Sequence, residues 1–242
     1  MMAKTRLRRS NFSWLAMATA VAAMWLASST PAFADALGTL SETNCADGGM
    51  TFTATTIVWL PPTLGGVAGC INTEIGTHLT YSGGTVLPGA TGNILNLTTG
   101  GGAVNDFITI LGTSLDFVLT GLGPGSSNTN CTGLAPGFSC SVAAGSPFIL
   151  TNEGGVSTTL SLAAFGTITD GGGTSNWEGA FTTQLTSSAA AIQSAILGGG
   201  SIISTQSGVF VVQAGGSSSV PEPGAGGLLL LGMAFLLVVR KA

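Results

Sequence analysis

Short runs rich in Thr, Val, Ile and Phe recur along residues 35–213, and Gly, Asn, Pro or Ser interrupts them every eight to twelve residues. Branched and aromatic side chains fit the pleated, half-buried surface of a strand, and this spacing of turn residues is typical of antiparallel all-β domains. Helix signals are almost absent. We therefore predict an all-β, antiparallel β-sandwich-like body with one short helix.

Two stretches, 115–119 and 177–185, carry apolar residues with the period of two expected of a strand buried on one face. Glycines at 171–173 separate two long candidate strands and predict a hairpin. The predicted strands are 51–60, 77–81, 93–98, 107–111, 114–119, 148–152, 157–169, 176–186 and 208–212.

The one predicted helix covers residues 187–197. The hydroxyls of Thr186 and Ser187 are placed to cap its first turn, and Gly198 ends it. We interpret it as a connector that covers the core. Its buried face would comprise Ala189, Ile192 and Ile196.

All six Lys and Arg residues lie at the ends of the chain. None occurs between Ser10 and Val239, whereas all ten Asp and Glu residues fall between Asp35 and Glu222, so the body has a formal charge near −10. Binding to nucleic acid depends on Lys and Arg that neutralise phosphates, so we exclude it. The same deficit argues against kinases, ATPases and dinucleotide enzymes.

Residues 1–34 have the pattern of a secretory signal peptide, with a basic start, an apolar run over 12–27 and a small-x-small cleavage site. The competing interpretation is an uncleaved membrane anchor, and export follows from either. The predicted cleavage residues are Ala32, Ala34 and Asp35.

The C-terminal end has three parts after a flexible linker at 214–219: a Pro-rich motif at 220–223, an apolar stretch at 224–239 and a basic end. The apolar stretch, as a helix, would be roughly 24 Å long, somewhat short of the ~30 Å hydrocarbon core of a bilayer. The basic end, Arg240 and Lys241, would hold this terminus in the cytoplasm.

This order of motif, short apolar helix and basic end resembles the PEP-CTERM sorting signal of Gram-negative bacteria over residues 220–242. The resemblance implies an exosortase as processing partner, an inner-membrane precursor, and delivery to the cell surface or an exopolysaccharide matrix. The alternative is a plain C-terminal membrane anchor. The predicted sorting motif is Val220, Pro221, Glu222 and Pro223, followed by Arg240 and Lys241.

The body contains four cysteines, Cys45, Cys70, Cys131 and Cys140, an even number that favours two disulfides in an exported chain. Three pairings are possible, and proximity in sequence favours Cys45 with Cys70 and Cys131 with Cys140. A zinc site is disfavoured because the spacing contains no Cys-x-x-Cys and His78 lies in another segment. We predict neither a metal nor a cofactor.

Catalytic candidates are few. His78 is the only imidazole, and no Gly-x-Ser-x-Gly motif surrounds any serine. Asp106 and Asp116 flank neighbouring predicted strands and are expected to approach each other, which would allow a glycosidase-like carboxylate pair. Scattered acids are more simply explained as solubility charges, and the chain is predicted not to be an enzyme. The other carboxylates considered are Glu153, Asp170 and Glu178. Calcium binding by Asp47, Asp106 or Asp170 is a weaker alternative, because the sequence has no EF-hand spacing.

Our primary hypothesis is an exported structural protein of the surface or matrix, and the alternative is a carbohydrate-binding module of the same matrix. Such modules stack sugars on exposed aromatic rings, and the available rings are Trp59, Trp177 and Tyr81. The neighbours of both tryptophans are apolar, however, so core packing is the favoured interpretation for them.

Overall fold

The computed structural model of the chain describes residues 35–60, 69–171 and 173–213. The predicted signal peptide, the linker and the sorting tail, including Ala32, Ala34, Val220, Pro221, Glu222, Pro223, Arg240 and Lys241, lie outside the described residues.

Strands dominate the described residues, which confirms the all-β prediction. In chain order they are β1 (Leu37–Asn44), β2 (Gly49–Phe52), β3 (Thr56–Leu60), β4 (Cys70–Thr73), β5 (His78–Tyr81), β6 (Gly84–Val86), β7 (Thr91–Ile94), β8 (Leu97–Thr98), β9 (Val104–Ile110), β10 (Asp116–Leu122), β11 (Ser139–Ser141), β12 (Ile149–Gly154), β13 (Ser157–Thr169), β14 (Thr174–Leu185), β15 (Ile202–Ser204) and β16 (Ser207–Gln213), with helix α1 (Ala189–Leu197) between β14 and β15.

Eight of these strands close into an antiparallel barrel, in the order β10-β9-β7-β4-β1-β16-β14-β13, because β13 pairs back with β10. The predicted sandwich-like arrangement thus differs from the structure. The closing strand is long enough to do two things: residues 157–161 of β13 pair with β12, while residues 164–169 pair with β10. The first half extends the sheet beyond the barrel, and the second half completes the wall.

One edge of strand β1 also pairs with two different strands. Residues 37–39 pair with β5, which begins the β5–β6 hairpin, and residues 42–44 pair with β4 in the barrel wall. Its other edge pairs with β16 over residues 38–43.

The barrel interior is filled by aromatic rings that lie opposite glycines on the neighbouring strand. The ring centroids of Phe181 and Phe210 lie 5.0 Å apart, and those of Trp177 and Phe210 lie 5.5 Å apart. This alternation of large and small residues is how small barrels pack their interiors. The directly opposed pairs are Gly166 with Trp177, Gly179 with Phe210, and Gly208 with Phe181.

A second sheet of four antiparallel strands, β15-β2-β3-β8, packs against the same core. The ring of Trp59 on β3 lies 5.5 Å from that of Phe181, and Phe52 on β2 lies 5.8 Å from Phe148. Both sheets therefore share one hydrophobic core.

Helix α1 buries the predicted face of Ala189, Ile192 and Ile196, and Gly198 ends it as expected. The predicted caps, Thr186 and Ser187, are wrong. The capping residue is Ser188, whose side-chain oxygen accepts a hydrogen bond from the backbone N–H of Ala191 at 3.3 Å. The cap lies later because β14 continues to Leu185.

Candidate binding surface

The two disulfides form with the favoured pairing, Cys45 with Cys70 and Cys131 with Cys140. The first joins the end of β1 to the start of β4, so it closes two neighbouring barrel strands. The second closes a short loop that leads into β11. The first bond therefore fastens two strands of the barrel wall, and the second fastens the loop before β11, a strand outside the eight that close the barrel.

A single side chain of α1 fastens the second disulfide loop. Gln193 Oε1 accepts a hydrogen bond from the backbone N–H of Cys131 at 3.2 Å. Its Nε2 donates to the carbonyl oxygens of Thr129, Ser141 and Val142, at 2.8, 3.2 and 3.1 Å. Sequence analysis assigned no role to this residue, because an isolated Gln on a helix gives no signal for such contacts.

Both tryptophans of the body are core residues, each only 2% exposed, as the favoured interpretation predicted. Trp59 Nε1 donates to the carbonyl of Leu95 at 2.7 Å, and Trp177 Nε1 donates to that of Thr167 at 3.0 Å. Since both rings are buried, their faces are not accessible to a sugar. Tyr81 is partly buried against the core.

His78 begins β5 and is solvent-exposed. Among the described residues, its ring forms no hydrogen bond to a serine or a carboxylate. The structure therefore does not bring a nucleophile and a carboxylate to His78.

Asp106 and Asp116 do approach each other on β9 and β10, which confirms their expected proximity. The backbone N–H of Asp106 donates to Asp116 Oδ1 at 3.1 Å. Desolvation, reinforced by the charge of Asp106, raises the pKa of Asp116 above its usual range. Asp106 itself has a left-handed backbone, with φ of 52°.

The remaining carboxylates near the β13–β14 hairpin do not form a pair. Glu153 and Glu178 are exposed, whereas Asp170 is buried in the turn. Asp170 Oδ1 accepts from the N–H of Gly173 at 3.0 Å, and Oδ2 accepts from that of Ser82 at 2.8 Å. Asp170 is thus not a surface solubility charge: it ties the hairpin turn to the β5–β6 turn.

A carboxyl group that sequence analysis did not single out lies inside the barrel. Glu42 on β1 is fully buried, and its Oε2 accepts a hydrogen bond from Gln206 Nε2 at 2.9 Å. Within the described residues, Glu42 Oε1 has no hydrogen-bond partner. Burial raises the pKa of Glu42 to about 8, the charge of Glu74 adds to the rise, and the hydrogen bond from Gln206 opposes it.

The outer face of the barrel carries a groove across β10, β13, β14 and β16, with a volume of about 300 Å³. Two rows of side chains line it, because residues paired across antiparallel strands face the same way. One row consists of Phe165, Glu178 and Val211, and the other consists of Thr167, Asn176 and Gln213. We call these six residues the outer groove.

Phe165 is the aromatic residue of the outer groove, and it is 46% exposed. Its ring lies over Gly121 of β10, where an added Cβ would stand 2.5 Å from Cζ of the ring. The sequence contained a signal for this position: on β13 the inward residues are Leu160, Leu162 and Ala164, so Phe165 lies on the opposite face.

A second groove, about 470 Å³ in volume, lies between the glycine loop at 98–102 and residues 119–124. Its lining is glycine, proline, threonine and aliphatic residues, so it offers mostly backbone groups. The outer groove is therefore chemically the richer of the two.

Across residues 35–60, 69–171 and 173–213, no group of three or more His, Cys, Asp or Glu side chains is placed to hold a metal ion. The described part of the chain also contains no helix with the length and apolar character needed to cross a bilayer. Comparisons with family models, with curated proteins and with solved structures found no match to this chain.

Proposed function

We propose that the chain is an exported, non-enzymatic protein of a Gram-negative cell surface or exopolysaccharide matrix, sorted and processed by an exosortase through residues 220–242. The observation that carries export is the pair of disulfides. Disulfides persist in oxidising compartments such as the periplasm and the extracellular space.

Contacts of the first described residues support the predicted cleavage site. Ala36 is buried, and its carbonyl accepts a hydrogen bond from Ser175 Oγ at 2.7 Å. A signal peptide removed before Asp35 would leave these contacts intact. Cleavage several residues later would remove part of the barrel.

The interior of the barrel supports a structural role. Aromatic rings and glycines fill it, and the buried Asp170 is engaged in holding two turns together. A barrel that is cross-linked by disulfides and packed in its interior, in a strongly acidic body, is consistent with a stable structural component outside the cell.

The test is the intact mass and C-terminal peptide of the protein from the membrane, periplasmic and matrix fractions of the producing bacterium. We expect the matrix form to begin at Asp35 and to lack residues beyond about Pro223. A Glu222→Gln variant should accumulate as the unprocessed precursor, whereas the linker variant Ser218→Ala should be processed normally.

The opposite result would be recovery of the whole tail in the inner membrane with no matrix form. The chain would then be a membrane-tethered periplasmic protein, and the proposed sorting would be wrong.

A further inference from the structure

The outer groove combines an apolar strip with a polar strip on one rigid wall. Phe165 and Val211 are partly exposed apolar residues, 46% and 42%, on either side of Glu178. The row beside them is entirely polar, with a hydroxyl and two amides. Alternate residues along a strand lie about 6.8 Å apart, so the two rows run side by side at the width of a small ring.

The polar side chains of the groove are available to a ligand. Within the described residues, no hydrogen bond engages the side chains of Asn176, Glu178 or Gln213. The amides offer donors and acceptors in fixed planes, and Glu178 offers only acceptors. Together they match a partner that both donates and accepts many hydrogen bonds.

The aromatic side of the groove is held in place. Because Gly121 has no Cβ, the Phe165 ring packs directly against the backbone of β10, and this contact restricts its rotation. A ring fixed in this way loses little further freedom when a ligand stacks on it, which favours binding.

Charge decides which class of ligand fits. The groove contains one carboxylate and no cation, and no Lys or Arg occurs anywhere between Ser10 and Val239. A phosphate- or carboxylate-bearing polymer would meet a body charged near −10 without a partner for its anions. A neutral ligand avoids this cost.

We propose that the outer groove binds a neutral, hydroxyl-rich polysaccharide, with Phe165 stacking on the apolar face of a sugar ring. The hydroxyl groups at the edge of the sugar form hydrogen bonds with the side chains of Asn176, Glu178 and Gln213. A pyranose has an apolar face of C–H groups, which matches Phe165, and a polar edge, which matches the amides of the second row and the neighbouring Glu178. The proposal goes beyond the proposed function and does not depend on the processing of the tail.

The experiment is calorimetric titration of the full-length chain, in a detergent without a sugar headgroup, with dextran, galactomannan and hydroxyethyl cellulose, and with alginate as the anionic comparison. We expect saturable binding to at least one neutral polymer and none to alginate. Phe165→Ala should weaken that binding about tenfold, which corresponds to about 1.4 kcal/mol, since it removes the aromatic contact of the groove.

Phe138→Ala provides the matched control, because Phe138 is a 66% exposed phenylalanine outside the groove. It should bind as the unaltered protein does. Asn176→Ala is the second groove variant, and it removes an exposed amide from the polar row without touching the core. It keeps the test decisive if Phe165→Ala fails to fold.

Three results would overturn the proposal: no binding to any of the neutral polymers, equal binding to alginate, or unchanged binding in the folded groove variants. A fourth would be self-association that disappears in Phe165→Ala, which would assign the groove to a second copy of the chain. None of these results concerns the tail, so the sorting proposal would stand.

Discussion

Gly179 on β14 lies directly opposite Phe210 on β16, and the phenyl ring occupies the space that a side chain at Gly179 would need. An added Cβ would stand 2.5 Å from Phe210 Cδ1 and closer still to the carbonyl oxygen of Val209. The barrel wall therefore tolerates the ring only because the opposite residue has no side chain. Gly208 lies directly opposite Phe181, and an added Cβ there would stand 2.8 Å from Phe210 Cε2 and close to Glu42 Oε1.

Gly179→Ala should therefore destabilise the barrel, because a methyl group would displace a core ring or the backbone. Overpacking of this kind costs about 1–3 kcal/mol. Urea unfolding followed by near-UV circular dichroism measures the loss. Gly102→Ala is the control, since nothing lies within 4 Å of its added Cβ. Equal stability of the two variants would contradict the packing argument.

The buried carboxyl of Glu42 should make the fold less stable as the pH rises. Its pKa is raised in the folded protein from 4.5 to about 8, so folding favours the protonated form. Below pH 4.5 both states are protonated and the barrel carries no penalty. Between about pH 4.5 and 8 the penalty grows by about 1.4 kcal/mol per pH unit, and it levels off above that range.

Glu42→Gln should remove this dependence, because an amide oxygen can still accept the hydrogen bond from Gln206 without carrying charge. We expect the variant to be more stable than the unaltered protein at pH 9 and little changed at pH 4, as measured by urea unfolding. Glu153→Gln, at an exposed position, should leave the slope in place. A slope that persists in Glu42→Gln would assign the titration to another group.

The predicted strands succeed where one face is apolar and fail where the inward face is polar. Residues 157–169 were predicted as a strand and form β13 with the same bounds. Strand β1 was missed, although it is central to the barrel, because its inward residues include Glu42 and Asn44. A polar inward residue is indistinguishable in sequence from a solvent-facing one.

Tight turns and closure also escape local patterns. Residues 51–60 were predicted to form one strand, but they belong to β2 and β3. The chain turns between these strands, because the Thr53 hydroxyl accepts hydrogen bonds from the N–H groups of Thr55 and Thr56. Closure of the barrel rests on the pairing of β10 with β13, which no local alternation specifies. Within the site, the sequence singled out buried tryptophans, and the exposed ring is Phe165.

Gln193 should contribute more to the stability of the fold than a partly exposed helix residue usually does. Gln193→Ala removes the hydrogen bond that Oε1 accepts from the N–H of Cys131 and those that the two Nε2 hydrogens share among three carbonyl oxygens. At about 1 kcal/mol net for each bond, with part regained through water, the loss should be roughly 2–3 kcal/mol. Ser194→Ala changes the next, exposed residue and should have almost no effect on urea unfolding. Alanine favours a helix more than glutamine or serine does, so helix propensity cannot cause a loss in either variant. Similar losses in the two variants would contradict the role given to the loop contacts.

The two disulfides should differ in how much they stabilise the fold, because they close loops of different length. The sequence separation is 25 residues for Cys45–Cys70 and 9 for Cys131–Cys140. Loop-closure entropy then gives about 3.5 kcal/mol for the first and about 2.6 kcal/mol for the second. Replacing each pair with alanines should reproduce this order in urea unfolding under oxidising conditions.

Lost packing complicates the comparison, because Cys131 and Cys140 are more deeply buried than Cys45 and Cys70. The same measurement in reductant isolates the contribution of packing. The unaltered protein then has no cross-links, so each double variant differs from the unaltered protein only in side-chain packing. The cross-link contribution is the oxidised difference minus the reduced one. If that quantity is larger for Cys131–Cys140, unfolded-state entropy does not set the order, and the dominant role of that bond is to hold its loop on Gln193 and β11.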